Sequence, residues 1–88
     1  MFVILYYDVN QKRCGRMLKL CRRYLEWVQN SVFEGEITRA RLEKLKSEIK
    51  EVLVEEEGDS VIIYSFRSLL YSHREVLGND KKEDTQFL

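Results

Sequence analysis

The chain has 88 residues, 44% of them hydrophobic, and its fifteen cationic and fifteen acidic side chains cancel to no net charge, which is the composition of one globular domain with one modest core. No run approaches the ~18 consecutive apolar residues of a membrane span, and the start lacks a basic flank and small-residue cleavage site, so a cytoplasmic protein is expected. Cys14 and Cys21 fall about 10.5 Å apart along a helix, too far to bridge and at no metal-binding spacing, and read as core thiols.

The zero net charge hides a gradient. Residues 1–28 carry six cations against two acids, residues 29–50 five against four, and residues 51–88 four against nine. A basic first third points to an anionic partner for that part of the chain.

Phe2-Val3-Ile4-Leu5-Tyr6-Tyr7 is apolar, aromatic and β-branched throughout, the pattern of a central strand covered on both faces. Asp8-Val9-Asn10 ends it, and Asn10 or Gln11 stands where a helix cap belongs. Cys14, Met17, Leu18, Cys21, Tyr24, Leu25 and Val28 then recur at three-four spacing, predicting a first helix from about Lys12 to Trp27. Residues 27–37 read as extended, either one strand or two short strands separated by a tight bend at Asn30-Ser31. Thr38 is a natural cap for a second helix whose apolar face is Leu42, Leu45, Ile49, Val52 and Leu53. After the acidic turn Glu55 to Asp59, residues Ser60 to Phe66 predict another strand, and residues 69–77 a weaker one. Gly78 to Asp84 is a polar linker before an apolar-ended tail.

Two amphipathic helices and a small sheet predict an α+β fold. A ferredoxin-like βαββαβ sandwich fits if residues 27–37 supply two strands, with a domain over 1–77 and a linker and tail over 78–88. Both helices then cover one sheet face, leaving the other bare although the first strand is apolar on both sides. A face-to-face homodimer would cover it.

Lys12, Arg16, Lys19 and Arg23 project onto the side of the first helix opposite its apolar stripe. A solvated face is the plain reading. The second helix, however, mixes signs on its outer face, whereas the first carries cations with only Glu26 among them, so phosphate-backbone binding is expected there. Arg39 and Arg41 extend the patch from the start of the second helix, where cations oppose the helix dipole. Asp8, between a strand and a helix, is either an Asx-turn or capping carboxylate or a ligand at the strand end where α/β units site their chemistry. His73 stands alone, and no phosphate loop, catalytic triad or zinc-protease motif occurs.

Val3-Ile4-Leu5-Tyr6-Tyr7-Asp8-Val9, a basic helix, and then Val28-Gln29-Asn30-Ser31-Val32-Phe33-Glu34-Gly35-Glu36 together resemble the CRISPR-associated Cas-two family over roughly residues 1–77. The resemblance implies a ferredoxin-like homodimer whose C-terminal strand crosses to its partner, acting beside the Cas-one integrase in capturing duplex DNA. It also implies a metal-dependent nuclease on RNA or DNA as the alternative, with a toxin-type RNA nuclease further behind. Asp8 matches the family's metal-associated aspartate and would be both magnesium ligand and catalytic residue. Tyr7 matches the aromatic before it, Ser31 and Phe33 match the second motif, and Arg13 and Arg16 fall where basic residues are common. A single carboxylate is a poor magnesium site; two-fold symmetry would supply the second.

Overall fold

The computed structural model describes residues 1–67 and 74–78. β1 (Phe2–Asp8), α1 (Gln11–Arg22), β2 (Glu26–Gln29), β3 (Val32–Glu36), α2 (Arg39–Val52) and β4 (Ser60–Phe66) follow one another, with a short 3-10 turn at Glu55–Glu57. The sheet order is β2-β3-β1-β4, every neighbouring pair antiparallel. This is the βαββαβ sandwich that the element pattern predicts.

β1, apolar on both sides, lies inside the sheet between β3 and β4. Alternation along the strand sends Val3, Leu5 and Tyr7 towards the helices, where they join Met17, Leu20 and Cys21 of α1, Phe33 of β3, and Leu42, Leu45, Ile49 and Val52 of α2 in one core. The alternate residues Phe2, Ile4 and Tyr6 point to the opposite face. There they meet Phe66, Tyr64 and Ile62 of β4 in register. Tyr6, Ile62, Tyr64 and Phe66 are 37–53% exposed, so the β1–β4 half of the second sheet face is apolar and exposed, as expected, while the β3–β2 half carries Glu34, Glu36 and Glu26.

Both helix starts follow from their caps. The Asn10 side chain accepts from the Lys12 backbone N–H at 3.1 Å, and the Thr38 hydroxyl accepts from that of Arg41 at 3.2 Å. The end of α1 departs from expectation. It stops at Arg22, five residues short of Trp27, and residues 27–37 resolve into two strands. Tyr24, Leu25 and Val28 keep helical spacing across this boundary, so periodicity could not register the change. Ending there gives the sheet its outer strand, with Trp27 facing Phe33 across the ladder. The hairpin turns at Asn30, whose φ of 45° is left-handed, a region asparagine tolerates better than most residues.

Cys21 is wholly buried, whereas Cys14 sits at the core margin and is only partly covered. The expected strand over 69–77 lies mostly outside the described residues; 74–77 have no regular structure. Of the expected linker and tail, only Gly78 is described. No described helix is long and apolar enough to cross a membrane.

Candidate nucleic-acid interface and carboxylate site

The helical layer carries the basic residues. Arg16, Lys19 and Arg22 of α1 and Arg39 of α2 are exposed, and none is ion-paired among the described residues. The ends of the expected stripe are tied down. Lys12 Nζ lies 3.4 Å from Glu57 Oε1, and an Arg23 guanidinium nitrogen lies 2.8 Å from Glu48 Oε2. Arg16, Lys19 and Arg23 line one side of an open groove of about 340 Å³ between α1 and α2, with Glu48 and Glu51 on the other. The stripe therefore has acidic neighbours, supplied by other elements and so invisible in the helical projection of α1 alone.

Arg41 turns back to α1. Its guanidinium stands 4.8 Å from the centre of the Tyr24 ring and donates to the Arg23 carbonyl at 3.4 Å, a cation–π arrangement that holds the cation at the surface. The Tyr24 hydroxyl donates to Glu48 at 3.0 Å. Arg23, Tyr24, Arg41 and Glu48 thus form one cluster joining the end of α1 to α2.

Arg13 requires a correction. Expected on the phosphate-binding surface, it is buried with its guanidinium forked onto Asp59 through Nε and a terminal nitrogen at 2.9 Å. The same terminal nitrogen donates to Glu57 at 3.1 Å. A guanidinium committed to two carboxylates offers little to a phosphate. Asp59, which sequence reasoning passed over as part of an acidic turn, accepts also from the backbone N–H groups of Asn10 at 2.8 Å and Val54 at 3.0 Å. These donors, the Arg13 fork foremost, hold its carboxyl well below the usual carboxylate range against the opposing effect of burial. The one legible signal was Gly58, whose φ of 84° makes the turn that delivers Asp59 inward.

The three motif residues come together in the core. The Tyr7 ring stacks on Phe33 with centroids 6.1 Å apart, and the Tyr7 backbone N–H donates to the Ser31 carbonyl at 3.2 Å. Burial, with the nearby Cys21 and Cys14 thiols, raises the Tyr7 hydroxyl above its ordinary value, and the Ser31 side chain opposes the shift. Neither ring is free to stack on a base.

Asp8 ends β1 opposite Ser60. Alternation places its side chain on the open sheet face, beyond Phe2, Ile4 and Tyr6. The carboxylate is exposed and takes no side-chain hydrogen bond or ion pair among the described residues. The expected cap role belongs to Asn10, which leaves Asp8 available. Among the described residues no group of three or more His, Cys, Asp or Glu could hold a metal ion. Asp8 is therefore a single hard carboxylate at the strand end, of the kind that could take part in holding magnesium together with further oxygen ligands.

The family model described as CRISPR associated protein Cas2 matches residues 1–73. The chain belongs to the Cas2 family. It is 53% identical to the CRISPR-associated endoribonuclease Cas2 of Dictyoglomus turgidum over 88 residues, the whole of both chains. It is 49% identical to the protein of that name from Thermotoga maritima over 84 residues, covering 96% of this chain and 95% of the other. A crystal structure of Cas2 superposes with a TM-score of 0.81 at 46% identity, covering 92% of this chain and 90% of the other. The family resemblance seen in the two motifs and the ferredoxin-like fold both hold.

Proposed function

We propose that the chain acts as a homodimer that binds nucleic acid on its helical layer and supports integration of foreign DNA spacers beside a Cas-one integrase. The observation that carries this reading is the division of the molecule into two surfaces. Cations with no ion pair among the described residues crowd the outer helical face at Arg16, Lys19, Arg22 and Arg39, while the opposite face of the sheet is apolar along β1 and β4. Pairing two sheets back to back removes the apolar face from water and leaves two basic helical layers outward, where a phosphate backbone can be neutralised. Nothing in this arrangement reads bases, so binding is expected to be indifferent to sequence.

The test replaces Arg16, Lys19 and Arg22 together with glutamine, a good helix former. Duplex affinity should fall, and the slope of log affinity against log salt should become shallower by up to ~0.9 for each phosphate no longer neutralised. An unchanged affinity and slope in a folded triple variant would reduce the surface to a solvated face.

A second reading, magnesium-dependent cleavage of RNA or DNA, is favoured by Asp8. Its carboxylate, without a side-chain partner among the described residues, lies on the face that dimerisation would cover, so a second copy could bring two such groups to one ion. The bound ion would neutralise a phosphate and make a water nucleophilic. This chain's own part is to hold Asp8 at the strand end and to exclude water through the aromatic face beside it. The relatives named as endoribonucleases lend this reading weight.

A further inference from the structure

We infer that Asp59, gripped by Arg13, is the positioning residue for the Asp8 carboxylate; this rests on the second reading above. The case begins with what orients Asp8. Its side chain makes no polar contact among the described residues, so its direction is set by its backbone alone. That backbone is held at two adjacent points of one neighbour. Ser60 is the ladder partner of Asp8, and Asp59, one residue earlier, accepts the N–H of Asn10 at 2.8 Å.

Asn10 in turn caps α1 through Lys12. The three-residue passage from strand to helix is thus pinned before, within and after its bend. Asp59 itself is completely enclosed, its side chain 0% exposed. One carboxylate oxygen serves Asn10 and Arg13, the other Val54 and Arg13. An apolar residue of equal volume could fill the space and support stability as well, but it could not hold the Asn10 N–H. What the ion pair supplies beyond packing is a fixed turn, and the group presented by that turn is Asp8. Magnesium tolerates little departure from octahedral geometry at about 2.0–2.1 Å, so a ligand without side-chain support depends on such a turn.

The experiment uses the full chain and manganese ion alone as the probe, read as paramagnetic broadening of the Asp8, Val9 and Asn10 amide resonances in a titration. Arg13→Met combined with Asp59→Leu fills the space with apolar side chains and leaves the Asn10 N–H without its acceptor. It should weaken manganese binding at Asp8 by about 10-fold or more, the usual scale for residues that orient a ligand, with dimer mass and duplex affinity unchanged. Glu57→Gln removes an Arg13 partner that does not touch the turn and should stay within about two-fold of the parent. Where cleavage is measurable, kcat should fall in the double variant and KM should not. If the double variant does not fold, Arg13→Lys carries the test, since it keeps the charge and loses the fork that holds Asp59 in place. Parent-like manganese affinity in the folded variant would overturn the positioning role alone. A parent protein whose Asp8 resonances ignore manganese would overturn the metal-ligand reading and this role together.

Discussion

Tyr6 stands directly opposite Ile62 across the β1–β4 ladder, on the face of the sheet that the helices leave uncovered. Ile4 and Tyr64, then Phe2 and Phe66, continue the row, the last pair with ring centroids 6.5 Å apart. A continuous apolar ladder of this kind should hold the chain as a dimer at micromolar concentration. Ile62→Glu puts a carboxylate in its middle, and an unpaired buried charge costs at least ~3 kcal/mol, or about 100-fold in dissociation constant. Sedimentation equilibrium should show the variant as a folded monomer where the parent is dimeric.

Asp8→Ala should abolish the magnesium-dependent cleavage seen in the parent while leaving the dimer and duplex affinity within about two-fold, because among the described residues the side chain makes no polar interaction on which folding depends. Equal cleavage by parent and variant would assign the activity elsewhere.

Acid should weaken the fold through Asp59. Its folded-state carboxyl titrates below the unfolded one, so the unfolded chain binds more protons as pH falls under the ordinary aspartate value of about 3.9. The stabilisation is fully present above that value and is lost progressively below it. Thermal melts between pH 7 and pH 2 should show the parent falling steeply at the acid end. Asp59→Asn should start lower at pH 7 and fall less.

The two thiols should differ sharply. Burial pushes the Cys21 thiol up to about 12, leaving almost no thiolate at neutral pH, and the side chain is wholly enclosed. Cys14 is partly exposed. A disulfide reagent at pH 8 should therefore modify one equivalent quickly, and the second only on unfolding.

Phe33 should matter as core. Phe33→Ala is expected to cost about 3–5 kcal/mol of stability by urea unfolding, since its ring is completely buried against Tyr7. A small cost with a large loss of nucleic-acid affinity would instead assign the ring to contact with a base.

Much of the fold was legible in the residues because the signals were local. Asn10 and Thr38 mark their own helices, Ser60 to Phe66 alternates cleanly, and two amphipathic helices must share one sheet face. The end of α1 was not legible, because Tyr24, Leu25 and Val28 satisfy helical spacing while the chain has already changed direction. At the site, Asp8 could be located but not distinguished from a cap until Asn10 was seen to take that role. Arg13 misled for a different reason. A cation near a basic face looks alike in sequence whether it meets water or a buried acid, and its acid, Asp59, lies 46 residues away. The same blindness concealed Glu48 and Glu57, which partly neutralise the stripe from outside its helix.

Glu34 is buried in β3 beside Ile4, at the border of the apolar β1–β4 half of the open sheet face, and Arg74 reaches it as an ion pair. Greasy sheets adhere to one another with little discrimination. A charge embedded among them makes the choice of neighbour stringent, because any surface laid over this one must leave the guanidinium in place or strand a carboxylate at a cost of several kcal/mol. Glu34→Gln, paired with a differently tagged homologue, should form heterodimers that the parent chain refuses.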